Sequence, residues 1–286
     1  AMPINDYLRF GPAIAVALFI LLMSLALTDR ISLVRRRSNA LMRSFEKFAP
    51  TALVKALHKN SEVASLSGSR KDVSIVFSDI RGYSSVIESI QPREVMHLMT
   101  EYFDYMEHVI EKHGGYILEF AGDGILAVFG APSDLEDHAE AATRCSIDML
   151  RAVDALNGRY EENGQIKLFQ NVGLDGLAIR LGVHSGTVIA GTLGSRQTLK
   201  YGVIGDAVNV AARLEQKNKE FESALLVSED TFLRLTPETQ TVFDGLGTYP
   251  LKGRKEPIAI FRLLDDSLPD VEVSLELDSI HTFALW

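Results

Sequence analysis

Asp79 and Asp123 are the residues from which chemistry can be built. Asp79 closes the β-branched run Val73-Ser-Ile-Val-Phe-Ser and is followed by Gly82 and a pair of serines, so a strand would deliver its carboxylate to the start of a helix. Asp123 stands between Gly122 and Gly124, flanked by the apolar runs 116–121 and 125–129, which is the pattern of a hairpin with a carboxylate at its tip. An aspartate before a glycine is most often only a turn residue. Two of them at strand ends, presented without His or Cys, instead favour hard cations such as Mg²⁺ or Mn²⁺. A pair of such ions suits phosphoryl or nucleotidyl transfer, one activating an attacking oxygen and the other holding the leaving phosphates.

The elements that would hold these side chains follow in order. A strand over 73–78 leads to a helix over 92–113, whose apolar positions Val95, Leu98, Met99, Tyr102, Phe103, Met106, Val109 and Ile110 repeat at helical spacing. After the hairpin come a helix over 137–160, strands over 178–184 and 187–191, and a helix over 208–217. A strand at 224–227, a short helix near 228–235 and strands over 242–251 and 258–264 complete the domain. Tight hairpins argue against an all-parallel sheet, so the expected class is α+β, an antiparallel or mixed sheet with helices packed against it.

Composition bounds what such a domain can do. The 286 residues are 47% hydrophobic and 23% charged, enough apolar content for a real core. A formal net charge of −9 argues against non-specific nucleic-acid binding, so no nucleic-acid partner is expected. The one cysteine, Cys145, excludes an intrachain disulfide framework and reads as a small core residue.

Residues 10–28 carry no charge and are almost wholly apolar, long enough as a helix to cross a bilayer. Ser24-Leu-Ala26 resembles a signal-peptide cleavage site, but the basic residues that follow favour a transmembrane helix. Arg30, Arg35, Arg36, Arg37, Arg43 and Lys47 lie after the span and Arg9 alone before it, which puts the C-terminal part on the cytoplasmic side of an inner or plasma membrane. Leu27, Ile31, Val34, Ser38, Leu41, Phe45 and Phe48 alternate spacings of four and three, the seam of a parallel coiled coil. The expected organisation is a flank at 1–9, a single membrane span at 10–28, a helical linker at 29–70, a catalytic domain at 71–265 and a tail at 266–286.

Five segments in order give the chain a family resemblance: Phe77-Ser-Asp79-Ile-Arg-Gly82-Tyr-Ser, Phe120-Ala-Gly-Asp123-Gly, Arg180-Leu-Gly-Val-His-Ser-Gly186, Gly205-Asp-Ala-Val-Asn209-Val-Ala-Ala-Arg213-Leu-Glu and Leu251-Lys252-Gly. The pattern closely resembles class III adenylyl and guanylyl cyclases. The resemblance implies a ferredoxin-like class III cyclase fold acting as a head-to-tail homodimer with shared sites. Asp79 and Asp123 would bind two Mg²⁺ or Mn²⁺ ions with the Ile80 carbonyl as a further ligand, and the amides from Ile80 through Gly82 to Tyr83 would lie near the phosphates. Asn209 would orient the ribose, Arg213 would stabilise charge on the α-phosphate, and Arg180 and Lys252 would hold the terminal phosphates. Taken alone, Arg213 would read as a surface ion pair with Glu215 or Glu220.

The choice of purine rests on Glu119, four positions before Asp123, where adenylyl cyclases of the family usually carry lysine. A carboxylate accepts from the N1–H and 2-amino group of guanine but confronts the N1 lone pair of adenine. GTP is therefore favoured over ATP, although the partner position, Gly202, supplies no side chain. A diguanylate cyclase would share the two-metal chemistry, but its Gly-Gly-Asp/Glu-Glu-Phe signature is missing from the sequence. A dimeric regulatory module without catalysis is the remaining alternative, and the retained metal, ribose and phosphate residues argue against it.

Overall fold

The β-branched run that ends at Asp79 becomes the middle of an extended sheet. In the computed structural model, which describes residues 19, 21–25, 27–32, 68–195, 199–251 and 256–264, strand β1 covers Gly68–Ile80. Helices α1 (Tyr83–Ser89) and α2 (Pro92–Lys112) follow, then strands β2 (Tyr116–Ala121) and β3 (Gly124–Phe129) and helices α3 (His138–Asn163) and α4 (Lys167–Gln170). Strands β4 (Ile179–Gly194) and β5 (Leu199–Ile204) lead into helix α5 (Asp206–Phe221). Strand β6 (Leu225–Ser228), helices α6 (Glu229–Phe232) and α7 (Pro237–Gln240), and strands β7 (Phe243–Tyr249) and β8 (Ile258–Leu263) complete the described elements.

The strands form one sheet in the order β2-β3-β1-β4-β6-β8-β7, with β5 paired to the far end of β4. Only the β4–β6 pairing is parallel, because helix α5 crosses over between those two strands. The expected mixed sheet is thus present.

Alternation along the strands assigns the two faces. Val76 and Ile80 of β1, Leu181 and Val183 of β4, and Leu225 and Val227 of β6 join a core with Tyr102 and Met106 of α2 and Met149 and Leu156 of α3. Leu226 and Ile260 point the other way and pack with Val210 and Leu214 of α5. Each fully buried aliphatic side chain of this kind contributes about 1.5–3 kcal/mol relative to exposure. Helix α2 starts cleanly, with Pro92 in its first turn and a reciprocal capping box between Gln91 and Glu94. Cys145 is fully buried in the α2/α3 core, as its Ala-rich setting suggests.

Helix α5 lies hard against β4, and Gly182 is what permits it. A Cβ at that position would stand 2.3 Å from both the Ala211 carbonyl oxygen and the Glu215 amide nitrogen.

The structure departs from the sequence-based expectation in several places: strand β1 begins at Gly68, inside the stretch expected as linker, and the short helices α4 and α7 were not foreseen. Strand β4 runs unbroken where two strands were expected, since Ser185 and Gly186 pair in register with Ser74 and Val73 of β1. Strand β5, not foreseen, is a hairpin arm held by the end of β4 from Ile189↔Ile204 to Gly194↔Leu199. Helix α5 extends further at both ends than 208–217.

The chain divides into two units at Val54 and Lys55. In the first, residues 21–25 and 27–32 are helical and their apolar side chains are exposed. Among the described residues no helix is long and apolar enough to cross a membrane. Most of the expected span at 10–28 and of the expected coiled coil at 29–70, and all of the tail at 266–286, lie outside the described residues.

Candidate active site

Strand register builds the first half of the site. Val76 and Ile80 face helices α2 and α3, so Asp79, between Ser78 and Ile80, faces the side that α5 covers. Antiparallel pairing sets Asp79 directly opposite Arg180 on β4, and sets Ser78 opposite Ile125 on β3, just past the hairpin tip that carries Asp123. One central strand therefore receives a carboxylate from one neighbour and a guanidinium from the other.

The electrostatics reflect that crowding. The Asp79 carboxyl is pushed up to about 6 by burial, by the negative charge of Asp123 and by a hydrogen bond the two side chains share, while Arg180 pulls the other way. Two carboxyls that close can form such a bond only when one keeps its proton. A divalent cation would replace that proton and remove the repulsion, so the pair fits a hard metal ion. Among the described residues no three His, Cys, Asp or Glu side chains converge as a metal cage. The remaining ligands would have to be main-chain carbonyls, water or substrate oxygens, as with Mg²⁺.

The loop after Asp79 supports the same corner. Ile80 ends β1 opposite Ile179, Gly82 turns the chain with φ of 72°, and no side chain caps the start of α1. The phenol of Tyr83 is raised by burial and by the Asp123 charge.

Glu215, which closes the fourth motif without a role assigned to it, feels the charge of this pair. It is buried beneath α5, and its carboxyl is pushed up to about 7 by burial and by the Asp79 charge, with Arg180 opposing and Asp123 adding a little. The spacing that buries Ala207, Val210, Ala211 and Leu214 also buries position 215, four after Ala211, so the signal was present in the helical period. The surface pair imagined between Arg213 and Glu215 or Glu220 is not formed: Glu215 points inward, and Glu220 pairs with Lys217 at 2.8 Å.

Asn209 and Arg213 lie four residues apart on the opposite face of α5, Asn209 exposed and Arg213 half-buried. The Arg213 Nη1 nitrogen is buried and has no hydrogen-bond partner among the described residues. A guanidinium held with an unused donor is suited to an incoming anion.

A third group of residues surrounds the expected base position. Glu119 on β2 pairs with Lys200 on β5 at 3.1 Å, and Tyr116 and Tyr201 meet edge to face with centroids 5.7 Å apart. These contacts bring β2 alongside the strand that carries Gly202. Lys252 lies outside the described residues.

The mixed sheet, with a carboxylate pair at the end of its central strand, defines an α+β domain of class III nucleotide cyclase type. The guanylyl cyclase Cya2 superposes with a TM-score of 0.56 at 33% identity, over 69% of this chain and 94% of that one. Residues 66–264 match the family described as the adenylate and guanylate cyclase catalytic domain, and the chain belongs to that family. It is 30% identical over 221 residues to adenylate cyclase 1 of Rhizobium meliloti, covering 77% of this chain and 32% of that protein. It is 32% identical over 226 residues to an adenylate cyclase of Anabaena cylindrica, covering 77% of this chain and 42% of that protein. The chain thus spans 32% and 42% of the length of these relatives.

Proposed function

We propose that the domain converts GTP to 3′,5′-cyclic GMP and pyrophosphate at two sites shared between the chains of a homodimer. The observation that carries the chemistry is the register that sets Asp79 between Asp123 and Arg180. Asp79 and Asp123 hold Mg²⁺ or Mn²⁺, with the Ile80 carbonyl as a further ligand; the bound ions supply a Lewis-acid environment for the attacking oxygen and the departing phosphates. Arg180, Lys252 and the amides through Gly82 and Tyr83 hold the β- and γ-phosphates. Asn209 of the other chain orients the ribose so that the 3′-oxygen stands in line with the α-phosphorus. As that oxygen bonds to phosphorus, the bond to the pyrophosphate oxygen breaks, and the hydroxyl proton passes to solvent. Arg213 donates to the non-bridging α-phosphate oxygens, where charge builds most in the transition state.

Selection of guanine rests on Glu119, whose carboxylate accepts from N1–H and the 2-amino group. The guanylyl cyclase named above supports this choice. Adenylate cyclase is the second reading, favoured by the names of the two curated relatives. Association in pairs is supported by Ile189 and Ile204, which sit opposite each other on β4 and β5 and are 49% and 55% exposed. The basic residues that follow 10–28 support a cytoplasmic domain tethered to a membrane.

Purified protein with Mn²⁺ is to be given ATP and GTP separately and the products resolved by chromatography. Cyclic GMP formed at least tenfold faster than cyclic AMP is the expected result. Product from ATP alone refutes the guanine assignment, and turnover of neither removes the enzyme.

A further inference from the structure

A guanidinium that is to hold phosphates must be fixed by something other than the carboxylate that a metal ion takes. Arg180 stands directly opposite Asp79, and residues opposite each other on antiparallel strands share a face of the sheet. Gly182, two positions on, lies on that face as well, about 7 Å further along β4. Helix α5 presses on the sheet at this glycine, where an added Cβ would stand 2.3 Å from the Glu215 amide nitrogen. Glu215 is only 5% exposed, so its side chain is enclosed between α5 and the face that carries Asp79 and Arg180. The charges that act on it are those of Asp79 and Arg180 and, more weakly, Asp123.

We infer that Glu215 is a positioning residue for Arg180: its carboxylate anchors the guanidinium from the α5 side while other donors of the same guanidinium are turned to the terminal phosphates. This inference rests on the reading of Arg180 as a phosphate ligand. In the empty site Asp79 competes for Arg180, and its negative charge opposes ionisation of Glu215 more than Arg180 favours it. Ions bound at Asp79 and Asp123 would cancel that repulsion and leave Arg180 as the dominant charge beside Glu215. The anchor therefore forms as the site is loaded. A guanidinium has five N–H donors in a rigid fork, so a carboxylate on one side leaves donors for phosphate oxygens on the other.

A purely structural role explains less. Burying a carboxylate costs stability that a neutral side chain of the same size would not, and the neighbouring contacts at Ala211 and Leu214 are made by apolar groups alone. The Glu215 carboxyl is pushed up to about 7, so the empty fold does not favour its charge. A cost of that kind is expected where the charge serves an occupied site.

The test is a double-mutant cycle of Glu215→Gln and Arg180→Met on the full chain at pH 8. Calorimetry reads the Kd of pyrophosphate with Mg²⁺, and KM and kcat for GTP are measured beside it. Arg180→Met is expected to weaken pyrophosphate by about tenfold and Glu215→Gln by about fivefold. The double variant should be no weaker than Arg180→Met, because Glu215 acts only through the guanidinium. With GTP, the Glu215→Gln loss should fall mainly on KM. Losses that add in the double variant, an unchanged pyrophosphate affinity in Glu215→Gln, or a fall in kcat with KM unchanged overturns the inference and leaves the reading of Arg180 standing. Pyrophosphate bound as tightly by Arg180→Met as by the wild type removes that reading itself, and the role of Glu215 falls with it. Should Arg180→Met fail to fold by circular dichroism, Arg180→Gln takes its place in the cycle.

Discussion

Asp79 and Asp123 illustrate at the residue scale how a site can be strained by its own charge. Burial and mutual repulsion raise Asp79 to about 6, so below that pH the pair keeps a proton which a cation must displace. Mn²⁺ affinity is therefore expected to fall as the pH drops through about 6 and to be flat above pH 7. Calorimetry in buffers of different ionisation heat would also register a released proton near pH 6. Affinity unchanged between pH 5 and pH 7.5 would detach the metal from this pair. Asp123→Ala is expected to abolish turnover without changing the elution volume of the protein. Arg213→Ala should lower kcat by about 10²–10³ while moving KM far less, since a donor to the non-bridging α-phosphate oxygens acts mainly on charge that develops in the transition state. A variant with near-normal kcat would take Arg213 out of the reaction. The aspartates were legible in the sequence because each ends an apolar run at a glycine turn. Glu215 was legible only in part: the helical period marks it as buried, but its charged neighbours depend on which strand lies opposite.

At the element scale, the decisive contact is helix α5 against strand β4. Gly182 allows it, and Gly182→Ala would drive a methyl group into the α5 backbone at Ala211 and Glu215. The expected loss is about 3 kcal/mol in denaturant unfolding, at the upper end of overpacking costs. A loss under about 0.5 kcal/mol would mean the helix can retreat at little expense. The same contact buries Glu215, whose carboxyl is raised from 4.5 to about 7. A raised carboxyl favours the fold in its neutral form, so its stabilising contribution is complete below pH 4.5 and is lost as pH rises through about 7. Glu215→Gln, neutral throughout, should match the wild type near pH 4.5 and exceed it by about 3 kcal/mol at pH 8 in chelator. A variant less stable than the wild type at pH 8 would show that the ionised carboxylate has a favourable partner. Elements with a clear period, such as α2 and the β2–β3 hairpin, could be read directly. The unbroken β4 could not, because Gly186 signals a break locally and only pairing with β1 overrides it. Strand β5 is short, carries Lys200 and Gly202, and exists because β4 offers it an edge.

At the scale of the whole molecule, the arrangement of groups within one chain predicts what two chains must do. Arg180, and not Arg213, is the cation that acts on Asp79, while Arg213 sits on the other face of α5 from Glu215, which lies with the aspartates. The sequence carries both sets of residues, so it does not say whether one chain can join them. The fold does bear on it, since a helix four turns long cannot turn both faces to the same carboxylates. If the partner chain supplies Arg213, Asp123→Ala and Arg213→Ala chains are each inactive alone but complementary. Co-expressed with different tags and purified through both, the mixed dimer has one site with both defects and one with neither. It should recover about half of the wild-type rate per dimer, with wild-type KM at the surviving site. Mixed dimers that stay inactive, although both tags are retained, would exclude a site shared across the interface and require Arg213 to reach the aspartates of its own chain.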